Sequence, residues 1–383
     1  MLSLETKTLK LMKRLTITFR FLLTGLLFLL FNRGILDAQT GDLKLTDWQP
    51  KSQMVVKETR VLTPKFPVID IHNHLRNLDE TKKYLEEMDK AGVIMCASLD
   101  AASQNDIYKK HIQVFQNIAK ERFILFFRPD FNKIDEPNFG INEAKKLEEA
   151  VKSGGIRGLK INKSLGLTLK DKTGKHVKVD DPRIDPVWAK CGELGIPVMI
   201  HVSDPKAFFT PIDKYNERYD ELGSHPDWAF FDRDKYPYSK EEILQQRNNV
   251  FARHPNTIFI GAHVATLPEE LGRVSMWLEQ YPNLYIDIDA RISELGRQPY
   301  TARDFLIKYQ DRVLFGTDTP PDAEAYRIYY RFLETNDEYI DPSGGHHLQG
   351  RWMIYGLYLP DEVLEKIYNK NALKILGMNK YYK

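Results

Sequence analysis

The sequence has little cysteine, and it lacks the patterns on which several classes of protein depend. The 383 residues include two cysteines, Cys96 and Cys191, which excludes a scaffold built on disulfides. Both lie in apolar or helical stretches, so we expect two buried free thiols. No stripe of basic residues occurs, which argues against a nucleic-acid partner. Internal repeats and low-complexity tracts are absent as well.

The first 38 residues differ from the remainder of the chain. They carry an excess of four positive charges against an overall charge of +2, so the other residues together are close to neutral. An apolar segment at residues 21–31 and a small residue, Ala38, complete a pattern typical of a secretory signal peptide over residues 1–38. We therefore expect an exported, periplasmic or extracellular protein. The apolar segment is short for the about 20 residues of a bilayer span, and an uncleaved anchor is the alternative.

After a polar lead at residues 39–64, short apolar runs alternate with segments of helical period. Polar and apolar residues seldom alternate within these runs, which indicates strands covered on both faces, as in parallel sheets. Eight strand-then-helix units predict an α/β architecture, a single-domain (β/α)8 or TIM barrel over residues 65–378. No Gly-x-Gly-x-x-Gly follows the first strand, which argues against a dinucleotide-binding fold. The predicted strands are residues 67–72, 93–99, 123–128, 156–161, 197–201, 257–263, 284–289 and 312–318.

A long insertion follows the fifth predicted strand. Residues 202–239 are rich in Asp, Pro and aromatic residues and have no clear period. Long loops after barrel strands are often lids or pocket walls. A packed surface excursion and a subunit contact are the alternatives.

Ionisable residues recur at the ends of the predicted strands. His72 and His74 close the first strand at a spacing of i, i+2, which puts both side chains on one face. His201, His263 and Asp318 close the fifth, sixth and eighth strands. Each alone would be interpreted as a core or helix-capping residue. Because the carboxyl ends of barrel strands meet at one mouth, the five together predict a metal site.

Several cations near the strand ends are candidates for the same mouth. Arginine presents a planar fork that suits carboxylates, so these cations could bind an acidic substrate, with surface charge as the alternative. The pair His346 and His347 lacks a preceding strand and is not expected to bind a metal. The candidates for substrate binding are Lys160 in the fourth strand, Arg76 after the histidine pair, Arg128 at the end of the third strand and Arg291 after the seventh.

This pattern resembles the amidohydrolase superfamily, in which His-x-His on the first strand accompanies His on the fifth and sixth strands and Gly-Thr-Asp on the eighth. The last of these is Gly316-Thr317-Asp318. The contexts Gly158-Leu159-Lys160 and Gly261-Ala262-His263 are similar to the branch that includes aminocarboxymuconate-semialdehyde decarboxylase and resorcylate decarboxylase. The resemblance covers residues 66–376.

The resemblance implies a set of roles for these residues. One divalent metal ion, zinc with manganese as the alternative, would be bound by His72, His74, His201 and Asp318. His263 would act as the general acid or base, and Asp318 would orient a metal-activated water and could take its proton. Binuclear relatives carry a carboxylated lysine on the fourth strand, and Lys160 leaves that alternative open beside a role in substrate binding.

The resemblance also implies an enzyme that acts on a small molecule. Hydrolysis of an amide, ester or lactone is the first expectation, because the decarboxylases of this branch act inside cells whereas this chain has an apparent signal peptide. Non-oxidative decarboxylation of an aromatic or unsaturated carboxylic acid is the alternative. A homodimer is expected by analogy, and no contact with membranes is expected beyond the signal segment.

Overall fold

A computed structural model of the protein describes residues 43–44, 47–345 and 348–378. The predicted signal peptide and the pair His346 and His347 lie outside this described part. The chain divides into two units after Val55, and the described residues of the first unit are exposed and contain no strand. No helix in the described part has both the length and the apolar character needed to cross a membrane.

Eight parallel strands form one sheet, in which each strand pairs with the next along the chain. Two hydrogen bonds close the sheet: Ile71 N–H donates to the Phe315 carbonyl (3.0 Å), and Asp318 N–H donates to the His72 carbonyl (2.9 Å). The predicted (β/α)8 barrel is therefore confirmed. The strands are β1 (Val68–Asp70), β2 (Val93–Ala102), β3 (Phe123–Arg128), β4 (Ile156–Ile161), β5 (Val198–Ile200), β6 (Phe259–Gly261), β7 (Leu284–Asp287) and β8 (Val313–Leu314).

A long helix follows each strand. These helices are α1 (Thr81–Ala91), α2 (Ile107–Ala119), α3 (Phe139–Lys152), α4 (Asp185–Leu194), α5 (Lys240–Arg253), α6 (Leu271–Gln280), α7 (Pro299–Lys308) and α8 (Ala323–Glu334). Shorter helical segments are Ser164–Leu167, Tyr219–Ser224, Ala262–Ala265, Ile292–Gly296, Asp361–Glu365 and Asn371–Ile375, with a π-helix, Lys366–Lys370, before the last.

Several observed strands are shorter than predicted, because the chain turns sharply just before it reaches the polar residues. The sequence predicts a sixth strand that continues to residue 263, but it ends at Gly261, and His263 has a φ of 57°. The predicted eighth strand continues to residue 318, but the observed one ends at Leu314, and Asp318 has a φ of 58°. Positive φ cannot be part of a β-strand. The polar side chains therefore lie on turns above the strands.

The sheet is covered on both faces, which explains the unbroken apolar runs in the sequence. Side chains such as Ile69, Phe126 and Met199 form a cluster inside the barrel, and their neighbours along the strands pack against the outer helices. Gly158 in β4 leaves space for the Phe126 side chain inside the barrel, since a Cβ at this position would come within 2.4 Å of the Phe126 ring. Cys96 and Cys191 are buried and unpaired.

The insertion at residues 202–239 is attached to the barrel by a buried ion cluster. Arg218 has no exposed surface, and it pairs with Glu221 of the same insertion (2.7 Å) and with Glu294, which follows β7. Its guanidinium also lies 6.0 Å from the Phe208 ring centre and 5.7 Å from that of Trp352. The insertion is therefore anchored to the β7 side of the barrel mouth.

Replacing Arg218 by methionine should reduce the free energy of unfolding by about 3–5 kcal/mol, because two buried carboxylates would lose their cation. Urea titration followed by circular dichroism measures this loss. Lys308→Met is the matched control, since Lys308 pairs with Glu279 at the surface (2.7 Å), where an ion pair contributes little to stability. Equal losses for the two variants would contradict the anchoring role.

Candidate metal centre and active-site cavity

Three imidazoles converge on the carboxylate of Asp318 at the carboxyl end of the barrel. Asp318 Oδ1 lies 3.8 Å from His72 Nε2 and 3.7 Å from His74 Nε2, and Asp318 Oδ2 lies 4.0 Å from His263 Nε2. These separations are too long for hydrogen bonds. The residues that follow the first, sixth and eighth strands thus lie around one point.

A carboxylate lies against the other ring nitrogen of each of these histidines. His72 Nδ1 lies 2.9 Å from Asp287 Oδ2 and 3.0 Å from Asp289 Oδ2. His263 Nδ1 lies 3.0 Å from Asp289 Oδ2, and its hydrogen bond is with the Asp289 carbonyl (3.2 Å). His74 Nδ1 lies 2.9 Å from Asp100 Oδ2. A carboxylate behind a histidine favours a proton on Nδ1 and leaves Nε2 as a metal ligand. Each Nε2 then faces Asp318.

His201, the candidate from the fifth strand, lies beside this group. Its Nδ1 is 3.3 Å from His263 Nε2, and the two ring centres are 4.2 Å apart. Its Nε2 lies 3.5 Å from Asp204 Oδ1 and forms no hydrogen bond with any described residue. Asp204 is the first acidic residue of the insertion and is almost fully buried. The insertion thus reaches the histidine cluster through Asp204.

The donor atoms fit a divalent metal ion. One ligand atom from each of His72, His263, Asp289 and Asp318 lies within 4.8 Å of the others. Imidazole nitrogen and carboxylate oxygen are ligands that Zn²⁺ and Mn²⁺ accept. Burial lowers the pKa of His72 to about 4, and burial together with His263 lowers the pKa of His201. Both imidazoles are therefore neutral at pH 7, as metal binding requires.

The tightest group differs from the set implied by the resemblance. It contains His263 and Asp289, whereas the resemblance implies His74 and His201 beside His72 and Asp318. All of these side chains surround the same point. The assignment of His72, His74, His201 and Asp318 as ligands and of His263 as acid or base stays a prediction.

Sequence reasoning missed the carboxylates behind the histidines. Asp287 and Asp289 stand at a spacing of i, i+2 at the end of β7, the same spacing as in the histidine pair on β1, and this signal could have found them. Burial and Asp289 raise the pKa of Asp287. Despite burial, His263 and His72 lower the pKa of Asp289. The two neighbouring carboxylates therefore shift in opposite directions.

Lys160 lies inside the cluster. It is 1% exposed, and its Nζ is 3.0 Å from His72 Nε2. Burial lowers its pKa although Asp318 and Asp289 act in the opposite direction. Lys160 is absent from the described lining of the cavity above the histidines. This position gives no support to a direct role in substrate binding, and the binuclear alternative stays open.

His263 begins a strained left-handed turn. Residues 263–266 have φ values of 57°, 56°, 52° and 57°, a conformation that costs about 1–2 kcal/mol per residue. Two buried cations of α5 bind the carbonyls of this turn: Arg247 Nη1 donates to the Ala265 carbonyl, and Lys240 Nζ donates to the Thr266 carbonyl (2.6 Å). The position of His263 therefore depends on α5.

A cavity of about 930 Å³ opens above the histidine cluster. Its floor includes His74, His201, His263 and Asp318, and the insertion supplies an aromatic wall of Phe208, Trp228 and Phe230. The insertion thus occupies the position expected of a pocket wall. A second cavity, of about 540 Å³, lies at the opposite end of the barrel, where β2 and β3 begin, away from the histidines.

Three of the predicted substrate-binding residues, all arginines, line the cavity together with Lys163. Arg128 and Arg76 share one partner, with Arg128 Nη1 at 2.8 Å and Arg76 Nε at 3.4 Å from Asp100 Oδ1. Asp100 is the carboxylate that also holds His74. Burial of Asp100 acts to raise its pKa, but His74 and the two arginines outweigh this effect and lower the pKa of Asp100 to about 2. Arg291 is 6% exposed.

A profile of the family described as Amidohydrolase matches residues 69–378. This chain belongs to the amidohydrolase family. The resemblance inferred from the strand-end residues is thereby confirmed. A search of curated proteins found no match.

Solved structures share the fold. The 2,6-dihydroxybenzoate decarboxylase from Rhizobium has a TM-score of 0.51 at 16% identity, with 82% of this chain and 99% of that chain covered. The dihydroxybenzoic acid decarboxylase from Polaromonas, solved with manganese and 2-nitroresorcinol, has a TM-score of 0.52 at 16% identity, with 82% and 98% covered. The 4-oxalomesaconate hydratase from Rhodopseudomonas palustris has a TM-score of 0.51 at 14% identity, with 82% and 97% covered.

Replacing His72 by alanine should remove the metal and the activity together, because His72 lies at the centre of the cluster. The metal content of the purified protein, measured by mass spectrometry of the elements, checks this. His254→Ala is the matched control, since His254 pairs with Asp185 (3.1 Å) at the end of α5. Retention of a full complement of metal by His72→Ala would contradict the proposed centre.

Replacing Arg247 by methionine should lower turnover by about 10-fold or more, because the Ala265 carbonyl would lose its donor and His263 its support. The metal content should stay unchanged. Arg253→Met is the control on the same helix, since Arg253 is more exposed and pairs with Asp185 (2.9 Å). If both variants keep full turnover, the turn does not need its buried cation.

Proposed function

We propose that this chain is a metal-dependent decarboxylase that releases carbon dioxide from a small aromatic or unsaturated carboxylic acid without oxidation. The observation that carries the proposal is a histidine–aspartate cluster on the floor of a cavity with aromatic side chains on one wall and arginines on others. Such a cavity suits a flat anion. Dihydroxybenzoate decarboxylases of the same fold, one of them with bound manganese, support the choice.

The residues of the cluster would hold one divalent ion. His72, His74, His201 and Asp318 are the proposed ligands, and Asp289 is close enough to His72 and His263 to orient both rings. When bound, the ion would supply positive charge that polarises an oxygen of the substrate and stabilises the negative charge that develops in the reaction.

His263 would supply the proton. When the bond between the substrate carbon and its carboxylate breaks, the electron pair stays on that carbon, and a proton from His263 forms the new C–H bond as carbon dioxide leaves. Imidazole can hold and return a proton near neutral pH. Asp318 stays ionised because, despite burial, the imidazoles of His72 and His263 lower its pKa. Its Oδ2 lies 4.0 Å from His263 Nε2, on the side of the ring that faces the cavity floor.

Decarboxylation thus takes the place of hydrolysis, which the sequence alone ranks first. That ranking depends on the predicted signal peptide, and the segment lies outside the described residues. Hydrolysis is kept as the second candidate on one observation: the ionised Asp318 beside the imidazoles also suits removal of a proton from water. Export, a homodimer and the choice of zinc over manganese stay predictions.

The test is a panel of hydroxybenzoates incubated in heavy water with protein loaded with Zn²⁺ or Mn²⁺. The expected result is release of carbon dioxide with one deuterium on the carbon that carried the carboxylate. His263→Asn should keep its metal and lower turnover by about 10²–10⁴-fold, the usual contribution of acid–base catalysis.

A parallel panel of esters, lactones and amides is the comparison. Release of acid or amine from that panel, without carbon dioxide from the first, would replace decarboxylation by hydrolysis. Loss of metal from His263→Asn would make His263 a ligand and favour the binuclear alternative.

A further inference from the structure

Among the described residues, four cations line the cavity above the histidines, and three of them already have a carboxylate partner. Arg76 and Arg128 both contact Asp100, and Lys163 Nζ lies 2.9 Å from Asp204 Oδ2. Arg291 is the fourth. Within the described part of the chain it forms no ion pair.

Arg291 is also the most buried of the four. It is 6% exposed, and its Nη1 donates to the Ala290 carbonyl (2.6 Å). Its Nε is fully buried and has no acceptor among the described residues. A buried guanidinium without an anion is costly. Such a group in the wall of a cavity indicates a missing anionic partner.

We propose that Arg291 binds the carboxylate of the substrate and that the substrate is a monocarboxylate with a flat apolar body. The proposal deepens the proposed function and rests on it for the reaction, although binding by itself does not require turnover. Guanidinium and carboxylate match in charge and planar shape. Phe208, Trp228 and Phe230 of the aromatic wall offer faces on which a ring can pack.

The acidic residues of the cavity restrict the substrate to one carboxylate. Asp227 lines the same space, as does Glu221, which is already paired with Arg218. Since Arg76, Arg128 and Lys163 are paired as well, a second carboxylate would lie near Asp227 without a matching cation. A dicarboxylate should therefore bind more weakly than the corresponding monocarboxylate.

The experiment is isothermal titration calorimetry of the metal-loaded, full-length protein with three probes of similar shape: benzoate, neutral benzamide and the dicarboxylate isophthalate. Benzoate should bind at least about 10-fold more tightly than either of the others, because benzamide lacks the charge that pairs with a guanidinium and isophthalate brings a second carboxylate without a cation. No binding of benzoate at millimolar concentrations, or equal binding of benzamide, would overturn the proposal.

The variants are Arg291→Met and, as the matched control in the same cavity, Arg76→Met. Arg291→Met should weaken benzoate binding by about 10- to 100-fold, and Arg76→Met by less than about 3-fold, because Arg76 is exposed and already paired. The opposite ranking would assign the carboxylate to the Asp100 side of the cavity and overturn the proposal. Unchanged binding in Arg291→Met would also overturn it, because benzoate would then contact only the metal.

Arg291→Lys covers the case in which Arg291→Met fails to fold. It keeps the charge but loses the planar fork, so benzoate binding should weaken by several-fold while benzamide binding stays the same. Equal weakening of both probes would indicate a structural role and overturn the proposal.

The binding result and the reaction are tested separately. Benzoate binding that depends on Arg291, combined with no carbon dioxide from hydroxybenzoates, would reject the proposed reaction and leave this inference intact.

Discussion

The site depends on two aspartates that lie behind the imidazoles. Asp287 and Asp289 are fully buried, and between them they contact the Nδ1 atoms of His72 and His263. These contacts fix which nitrogen of each ring points toward Asp318. Burying carboxylates is costly unless partners surround them, and the imidazoles are those partners. The histidines and the aspartates therefore stabilise each other, and neither set would hold its position alone.

Sequence reasoning can predict the barrel because apolar runs and helical periods are local properties of the chain. It can also predict which strand ends meet, since parallel strands of a closed barrel share one mouth. It overestimates the lengths of β6 and β8, because the preference of His and Asp for positive φ is too weak to locate the turns at His263 and Asp318. Backbone strain of this kind is imposed by tertiary contacts, such as those from Arg247 in α5.

The sequence does not predict which charges pair around the cavity, and the reason is a different one. Arg76, Arg128 and Arg291 look equivalent in the sequence, because each stands at the end of a strand or shortly after it. Their difference lies in Asp100 of β2, which reaches the first two and not the third. Such a difference depends on side-chain positions from separate strands, which no local pattern encodes.

The way the insertion is built has a consequence for how this enzyme could diversify. Residues 202–239 are tied to the barrel through Arg218 and contact the histidine cluster near their start, through Asp204. Exchange of Trp228 or Phe230 should therefore leave the floor of the cavity in place, whereas Phe208 contacts the anchoring Arg218. Arg128 has no such independence, because its partner Asp100 also orients His74. Divergent relatives should consequently differ in substrate preference through the insertion, whereas changes at the β2–β3 rim would compromise metal affinity.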